Sequence, residues 1–297
     1  MKAEQAKKPD WLKAKLPSGI NYRKIKEHRD AFHLNTVCEE ANCPNIGECW
    51  NSGTASFMLM GDACTRACRF CSVDTAKHPP PLDPDEPRNL AKTLLDLNLR
   101  YAVLTTVDRD DLPDQGATHI KNCVVEVLKA LPELIVEILI PDFQGKTTLL
   151  DIVAKSGARV ISHNLECTRG LTRTVRDPRS SFDQSLAVLE YLKKSYPPLY
   201  TKSSLMLGLG ETEGEVLDTM RDLRKIDTDF LTLGQYLRPN KHRLAVKEYI
   251  PPEKFAWYGE VGLEMGFRYV ASGPLVRSSY QAAEHYLGAL LRKRDSR

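Results

Sequence analysis

An α/β chain folded as a partial (β/α)6 TIM-type barrel, capped by N- and C-terminal extensions, is the architecture this sequence predicts. Three observations carry it. From residue 56 onward, short apolar runs alternate with amphipathic stretches, the rhythm of a parallel sheet. The runs are apolar on both faces, as strands covered on both sides must be. Polar residues and glycines then gather at or just after the ends of most runs: Thr105, Thr106 and Asp108; Asp142; Asn164 and Glu166; Gly208, Gly210 and Glu211; Gln235 and Tyr236. Ligand groups at the carboxyl ends of many strands suit a barrel mouth, whereas an open doubly wound sheet binds mainly at one switch point.

The elements follow in order. Residues 1–55 precede the alternation and form the first extension. The first strand is expected at 56–61, and Pro79 to Pro81, with Pro84 and Pro87, read as a stiff connection behind it. Further strands are expected at 101–107, 134–140, 159–163, 201–207 and 230–237, with a weaker seventh at 269–272. Helices are expected at 86–97, 117–131, 147–156, 181–194, 213–225 and 252–265. The barrel is therefore assigned to 56–273 and the second extension to 274–297. Two charges, Glu137 and Lys202, interrupt apolar strands. A charge against a closed core is costly unless paired, so each either faces a polar lumen or lies near a strand end in water.

At 297 residues the chain is long enough to bury a full core. With 42% hydrophobic and 27% charged residues it reads as soluble and globular, and no apolar run approaches the ~18 residues of a membrane helix. The lysine-rich residues 1–17 lack the apolar centre of a secretory signal and contain acids that a transit peptide would lack. A cytoplasmic location with no membrane partner is expected. A net charge of +3 is too small to imply nucleic acid. Its excess at Lys7, Lys8, Lys13, Lys15, Arg292, Lys293 and Arg294 reads as solvated tails, or as docking for an acidic partner. Disulfides would suit a small secreted domain without a core, which this chain is not.

Six of the eight cysteines fall between residues 38 and 71, as Cys38-x4-Cys43-x5-Cys49 and Cys64-x3-Cys68-x2-Cys71. Each triplet offers three thiolates from one short loop and leaves one coordination position to another ligand. Zinc sites pair thiolates as C-x2-C twice and close a four-ligand shell. Only Cys68-x2-Cys71 has that look, and no second pair follows. An iron–sulfur cluster accepts three local cysteines and a different fourth ligand, because its core is itself the template. On the residues alone, Cys167, just past the fourth strand, is the candidate fourth ligand of the first triplet. Cys123, inside a helix, reads as a buried small hydrophobe. Lone His33, His78 and His163 read as core or surface residues.

The spacing of Cys64, Cys68 and Cys71 after a first strand, with Phe70 before the third cysteine, resembles the radical S-adenosylmethionine (SAM) superfamily. The run Cys38-Glu39-Glu40-Ala41-Asn42-Cys43-Pro44-Asn45-Ile46-Gly47-Glu48-Cys49-Trp50 narrows this to a resemblance to the lipoyl synthase family. Thr106-Val107-Asp108-Arg109-Asp110-Asp111-Leu112, Pro141-Asp142-Phe143-Gln144-Gly145 and His163-Asn164-Leu165-Glu166 join it. So do Gly208-Leu209-Gly210-Glu211-Thr212, Leu233-Gly234-Gln235-Tyr236-Leu237 and Arg277-Ser278-Ser279-Tyr280, all in the family's order.

The resemblance implies a sulfurtransferase that inserts two sulfur atoms, at C6 and C8, into an octanoyl chain amide-linked to a lysine of a lipoyl carrier domain. Both positions are unactivated C–H bonds, so a cofactor must carry the hard step. Two [4Fe–4S] clusters are implied. Cys64, Cys68 and Cys71 would hold one, whose remaining iron is chelated by SAM; an electron splits SAM to a 5′-deoxyadenosyl radical, and two SAM molecules are consumed per lipoyl group. Cys38, Cys43 and Cys49 would hold the auxiliary cluster, consumed as the sulfur source. The family completes that cluster with a serine, matching Ser279 ahead of Ser278 and Cys167; an oxygen donor is harder than thiolate and suits a cluster meant to come apart. Thr106 and Asp108 are placed to accept the SAM ammonium, although Asp108 stands where many members carry asparagine. Asn164 and Glu166 would reach ribose or adenine, and Arg176 would pair the SAM carboxylate as a fork donor. Gly208, Gly210 and Glu211 would allow close backbone approach to SAM. Arg277 would meet the carrier or pair structurally. The implied partners are octanoylated carrier domains (dehydrogenase-complex E2 subunits, the glycine-cleavage H protein), a ferredoxin or flavodoxin electron donor, and an iron–sulfur carrier that rebuilds the cluster.

Overall fold

In the computed structural model of the protein the described residues are 8–12, 19–41, 43–51, 56–97, 99 and 101–279. Tyr280 and most of the charged tail residues named above lie outside them. The chain forms two compact units, Ala14–Ile161 and Ser162–Arg297 with Met1–Lys13.

The first unit begins with α1 (Ile20–Ala31), β1 (Asn35–Thr36), α2 (Val37–Glu40), α3 (Ile46–Asn51) and β2 (Ser56–Leu59). The two-residue strands β3 (Ala63–Cys64) and β4 (Asp74–Thr75) follow, then α4 (Glu86–Leu97), β5 (Tyr101–Thr106), α5 (Ala117–Ala130), β6 (Ile135–Leu139), α6 (Thr147–Ala154) and β7 (Val160–Ser162). β1 pairs antiparallel with β2, β2 runs parallel to β5, and β5 parallel to β6. Arg159, just before β7, donates its N–H to the Val136 carbonyl of β6 at 3.0 Å. All four residues of β2 and the first five of β5 are buried, the signature of strands covered on both faces. Leu90 and Leu94 of α4, and Ile120, Val124 and Val127 of α5, are buried at helical spacing.

The second unit contains α7 (Thr172–Val175), α8 (Phe182–Ser195), β8 (Tyr200–Leu207), α9 (Glu213–Lys225), β9 (Phe230–Gln235), α10 (Pro252–Glu264) and β10 (Tyr269–Gly273). β9 runs parallel to both β8 and β10. Leu205, Leu207, Leu231 and Leu233 form a core with Phe182, Leu189, Met220, Leu223 and Phe255 from the helices. Thr212 and Glu215 close a capping box at the start of α9, which is why that helix starts one residue after Thr212.

The seven expected strands and six expected helices of the alternating region are all present, with ends shifted by a few residues. The strand expected at 56–61 stops at Leu59 because Met60 and Gly61 turn with φ of 70° and 89°. Within residues 1–55 the alternation indicated no elements, yet α1, α2, α3 and β1 lie there. α1 buries only Ile25, so its apolar stripe is too faint to read. Glu137 and Lys202 are each 1% exposed, which excludes the strand-end-in-water reading; Tyr101 Oη donates to Glu137 Oε2 at 2.6 Å. Among the described residues, no helix is long and apolar enough to cross a membrane.

Candidate functional site

The second cysteine loop leaves β2 through the left-handed turn at Met60 and Gly61. The Met60 N–H is received by both carboxylate oxygens of Glu86, at 3.2 and 3.0 Å. Glu86 begins α4, and His119 of α5 sits 2.5 Å from Glu86 Oε2 through Nε2. Glu86, His119 and Cys123 lie with ligand atoms within 4.8 Å of one another, but the carboxylate is already engaged by Met60 and His119. It acts as an anchor for the turn. Glu86→Ala leaves a buried N–H without its acceptor and is expected to cost about 2–3 kcal/mol. Urea denaturation at unchanged slope measures this; a change below about 0.5 kcal/mol, typical of a plain surface site, would remove the anchoring role.

The loop itself is held from several sides. Thr65 donates its N–H to the Asp108 carbonyl at 2.9 Å, and its hydroxyl lies 3.1 Å from Asp110 Oδ2. Arg66 extends into the protein between Asp110 and Asp142, reaching the first at 2.9 and 3.0 Å and the second at 2.7 and 2.7 Å. The Cys64 sulfur accepts N–H groups from Arg66 at 3.4 Å and Asp108 at 3.3 Å, and its thiol faces Asp108 Oδ2 at 3.8 Å. Burial first, and the Asp108 carboxylate second, push that thiol up to about 12. Cys71 donates its N–H to the Cys68 carbonyl at 3.2 Å.

The first triplet is built on α2 and α3. Cys38 is the second residue of α2, and Cys43 donates its N–H to the Cys38 carbonyl at 2.9 Å. Burial pushes the Cys38 thiol up to about 11, against the pull of the Ser56 N–H and the Trp50 indole. Trp50 is fully buried and packs on Tyr22 with ring centres 5.1 Å apart. Ser72, just past the second triplet, donates its hydroxyl to the Glu40 carbonyl of α2 at 2.5 Å. One unit thus carries all six cysteines.

These residues fit iron–sulfur clusters better than single ions. All eight cysteines are free. Among the described residues, neither triplet draws three sulfurs as close as the 4.8 Å of the Glu86 group, whereas a cubane spreads its thiolates wider than one ion does. The Cys64 sulfur has two backbone N–H donors directed at it, the contact that stabilises a cluster-bound thiolate.

The remaining candidates divide between the units. In the first, Thr106 donates Oγ1 to the Leu139 carbonyl at 3.4 Å, and Asp108 lies between Cys64 and Arg66, 3.3 Å from Arg66 Nε. In the second, Asn164 donates Nδ2 to Glu166 Oε1 at 3.0 Å, and its Oδ1 is buried without a partner. Glu166 takes a left-handed φ of 67°, accepts the Met206 N–H at 2.9 Å and has its carboxyl pushed up by burial. Arg176 is buried and donates Nη1 to Ser185 Oγ at 2.9 Å. Cys167 is 1% exposed, and burial pushes its thiol up to about 12. Ser279 is partly buried, in the turn after β10. The close approach at Gly208 is made to the chain itself: a Cβ there would meet the Glu248 carbonyl at 2.3 Å, and Glu211 accepts the Gly208 and Leu209 N–H groups at 2.5 and 3.0 Å. Arg66, Asp110 and Gln144 received no role from sequence, and Asp142 was counted only among the polar residues gathered at strand ends. The density of acids just after two strands was the available signal.

Residues 58–223 match the Radical SAM superfamily, and residues 1–43 match the N-terminal domain of lipoyl synthase of the Radical SAM family. The lipoyl synthase of Anaeromyxobacter sp. (strain Fw109-5) is 54% identical over 289 residues, covering 97% of this chain and 98% of its own. The mitochondrial lipoyl synthase of Homo sapiens is 52% identical over 301 residues, covering 100% of this chain and 81% of its own. Among solved structures, Streptococcus suis SuiB bound to its precursor peptide SuiA aligns with TM-score 0.57 at 11% identity, over 73% of this chain and 48% of that one. HydG, a hydrogenase maturase, aligns with TM-score 0.57 at 11% identity, over 72% and 50%. Those likenesses concern fold alone, an α/β partial barrel. With identity above half along nearly its whole length, the chain belongs to the lipoyl synthase family of the radical SAM superfamily.

Proposed function

We propose that this enzyme inserts two sulfur atoms, at C6 and C8, into an octanoyl group carried on a lysine of a lipoyl carrier domain. The observation that carries the reading is the pair of three-cysteine loops in one unit, the second with backbone donors directed at the Cys64 sulfur, in a chain of this family. Cys64, Cys68 and Cys71 would hold the cluster that binds SAM, and Cys38, Cys43 and Cys49 the auxiliary cluster that donates sulfur. When bound, the first supplies an electron to SAM for hydrogen abstraction and the second supplies sulfide.

The chain's own residues position these groups. Thr106 and Asp108 accept the ammonium of SAM. Asn164 and Glu166 meet its ribose or adenine, a role supported by the buried, unpartnered Asn164 Oδ1. Arg176 pairs its carboxylate. Ser279 completes the auxiliary cluster in preference to Cys167, which is enclosed and held in its thiol form by burial. The chain is organised as an extension over 1–55, the barrel over 56–273 and a second extension over 274–297. Its partners are the E2-subunit and H-protein carrier domains, a ferredoxin or flavodoxin, and an iron–sulfur carrier, in the cytoplasm, with neither nucleic acid nor membrane involved.

Anaerobic incubation of reconstituted enzyme with SAM, reductant and an octanoyl-lysyl peptide tests the reading. A monothiolated, enzyme-bound species is expected before dithiolated product. Ser279→Ala is expected to lose auxiliary-cluster iron and product, and Cys167→Ala to lose neither. SAM cleavage without sulfur entering the chain would end the functional reading; loss only in Cys167→Ala would reverse the ligand assignment.

A further inference from the structure

We infer that Arg66 is the positioning residue of the second cysteine loop. Forked between Asp110 and Asp142, it sets the geometry in which Cys64, Cys68 and Cys71 present a cluster to SAM. The inference rests on the reading of those cysteines as cluster ligands, and goes beyond it by naming what shapes their loop.

Arg66 sits between the first and second cysteines, so the loop backbone moves with its side chain. That side chain is 3% exposed, and its partners are as enclosed, with Asp110 at 9% and Asp142 at 0%. Both carboxylates are gripped by two nitrogens each. They come from the ends of different strands, Asp110 beyond β5 and Asp142 beyond β6. The carboxylates are themselves held in place: Gln144 donates its side-chain amide to Asp110 at 3.0 Å and its N–H to Asp142 at 2.9 Å. Thr65 accepts the Asp110 N–H at 3.0 Å. Arg66 therefore ties the cysteine loop to the ends of two strands at once.

Only a planar fork with five donors can grip two carboxylates in this way; an ammonium offers a single charged point. The arrangement is costly to break, because a buried carboxylate left without its partner keeps the desolvation penalty and loses the attraction. The Arg66 side chain reaches the carboxylates of Asp108, Asp110 and Asp142, and its effect on the cysteines passes through the backbone, whose N–H points at the Cys64 sulfur. It is a positioning residue, comparable to the groups behind metal ligands whose loss typically costs ~10–100-fold in affinity or activity.

Arg66→Lys keeps the charge and removes the double fork. In the full-length, anaerobically reconstituted enzyme, the far-UV spectrum and the auxiliary-cluster iron are expected to match the parent. The change that SAM produces in the electron paramagnetic resonance spectrum of the reduced SAM-binding cluster is expected to be lost, or KM for SAM to rise roughly 10–100-fold. A parental spectral response with parental KM would overturn the inference. So would equal iron loss from both triplets, which would make Arg66 a residue of global folding. If the lysine variant does not accumulate, Asp110→Asn and Asp142→Asn each leave one fork in place. A weakened SAM response in both, with auxiliary iron retained, supports the clamp, and a parental response in both overturns it. A parent enzyme that itself binds no cluster at the second triplet would instead fail the underlying reading.

Discussion

Cys68→Ala will abolish SAM cleavage while leaving a folded chain with half its iron. Two clusters imply about eight irons per chain, and the variant should retain about four. Formation of 5′-deoxyadenosine with a chemical reductant should fall at least about a thousandfold, or about 4 kcal/mol of barrier, because without a cluster at this loop no protein side chain would pass an electron to the sulfonium of SAM. The loop will survive, since its described anchors are Thr65 and Arg66 with Asp108, Asp110 and Asp142. Cys68 itself is only partly buried. SAM cleavage at the parental rate would sink the assignment of the second triplet.

Cys43→Ala will separate the two half-reactions. Iron should again fall to about four per chain, yet SAM cleavage should continue near the parental rate. Neither monothiolated nor dithiolated product should appear. The two loops are built on different elements: the first on β1, α2 and α3, the second on the turn after β2 and on the ends of β5 and β6. Cys43 is partly buried, so its replacement disturbs packing less than loss of the enclosed Cys38 would. Dithiolated product at parental yield would show that the first triplet is not the sulfur source.

The thiols bear on how the clusters load. Cys38 and Cys64 are both pushed above the ordinary thiol value by burial, so the cluster-free fold holds their protons at neutral pH. Their folded values are raised, so this contribution to the stability of the cluster-free fold is full below the ordinary thiol value and is lost as pH rises through about 11 to 12. Cluster binding needs thiolates and must release those protons, so it becomes more favourable in the same direction. The N–H groups of Arg66 and Asp108 offset part of that cost at Cys64 by already facing its sulfur.

The alternating strands and helices were legible because burial on both faces leaves a local trace: runs such as Val103–Leu104 in β5 and the spaced Ile120, Val124 and Val127 of α5. The helix α1 was not, since a single buried residue makes no periodicity. At the site, cysteine spacing was readable because each triplet comes from one short stretch of chain. The Glu86 anchor and the Arg66 clamp were not, because Met60 and Glu86 are 26 residues apart, and Arg66 lies 44 residues from Asp110 and 76 from Asp142.

The order of residues alone determined which sulfurs are grouped as candidate cluster ligands, which segments become strands and which family the chain resembles, because each depends on neighbours along the chain. Tertiary structure alone decided that Glu137 and Lys202 are enclosed, that Gly208 makes room for the Glu248 carbonyl, and that one arginine joins three separate segments. Charge pairing and desolvation depend on which groups folding brings together, and spacing along a chain does not record that.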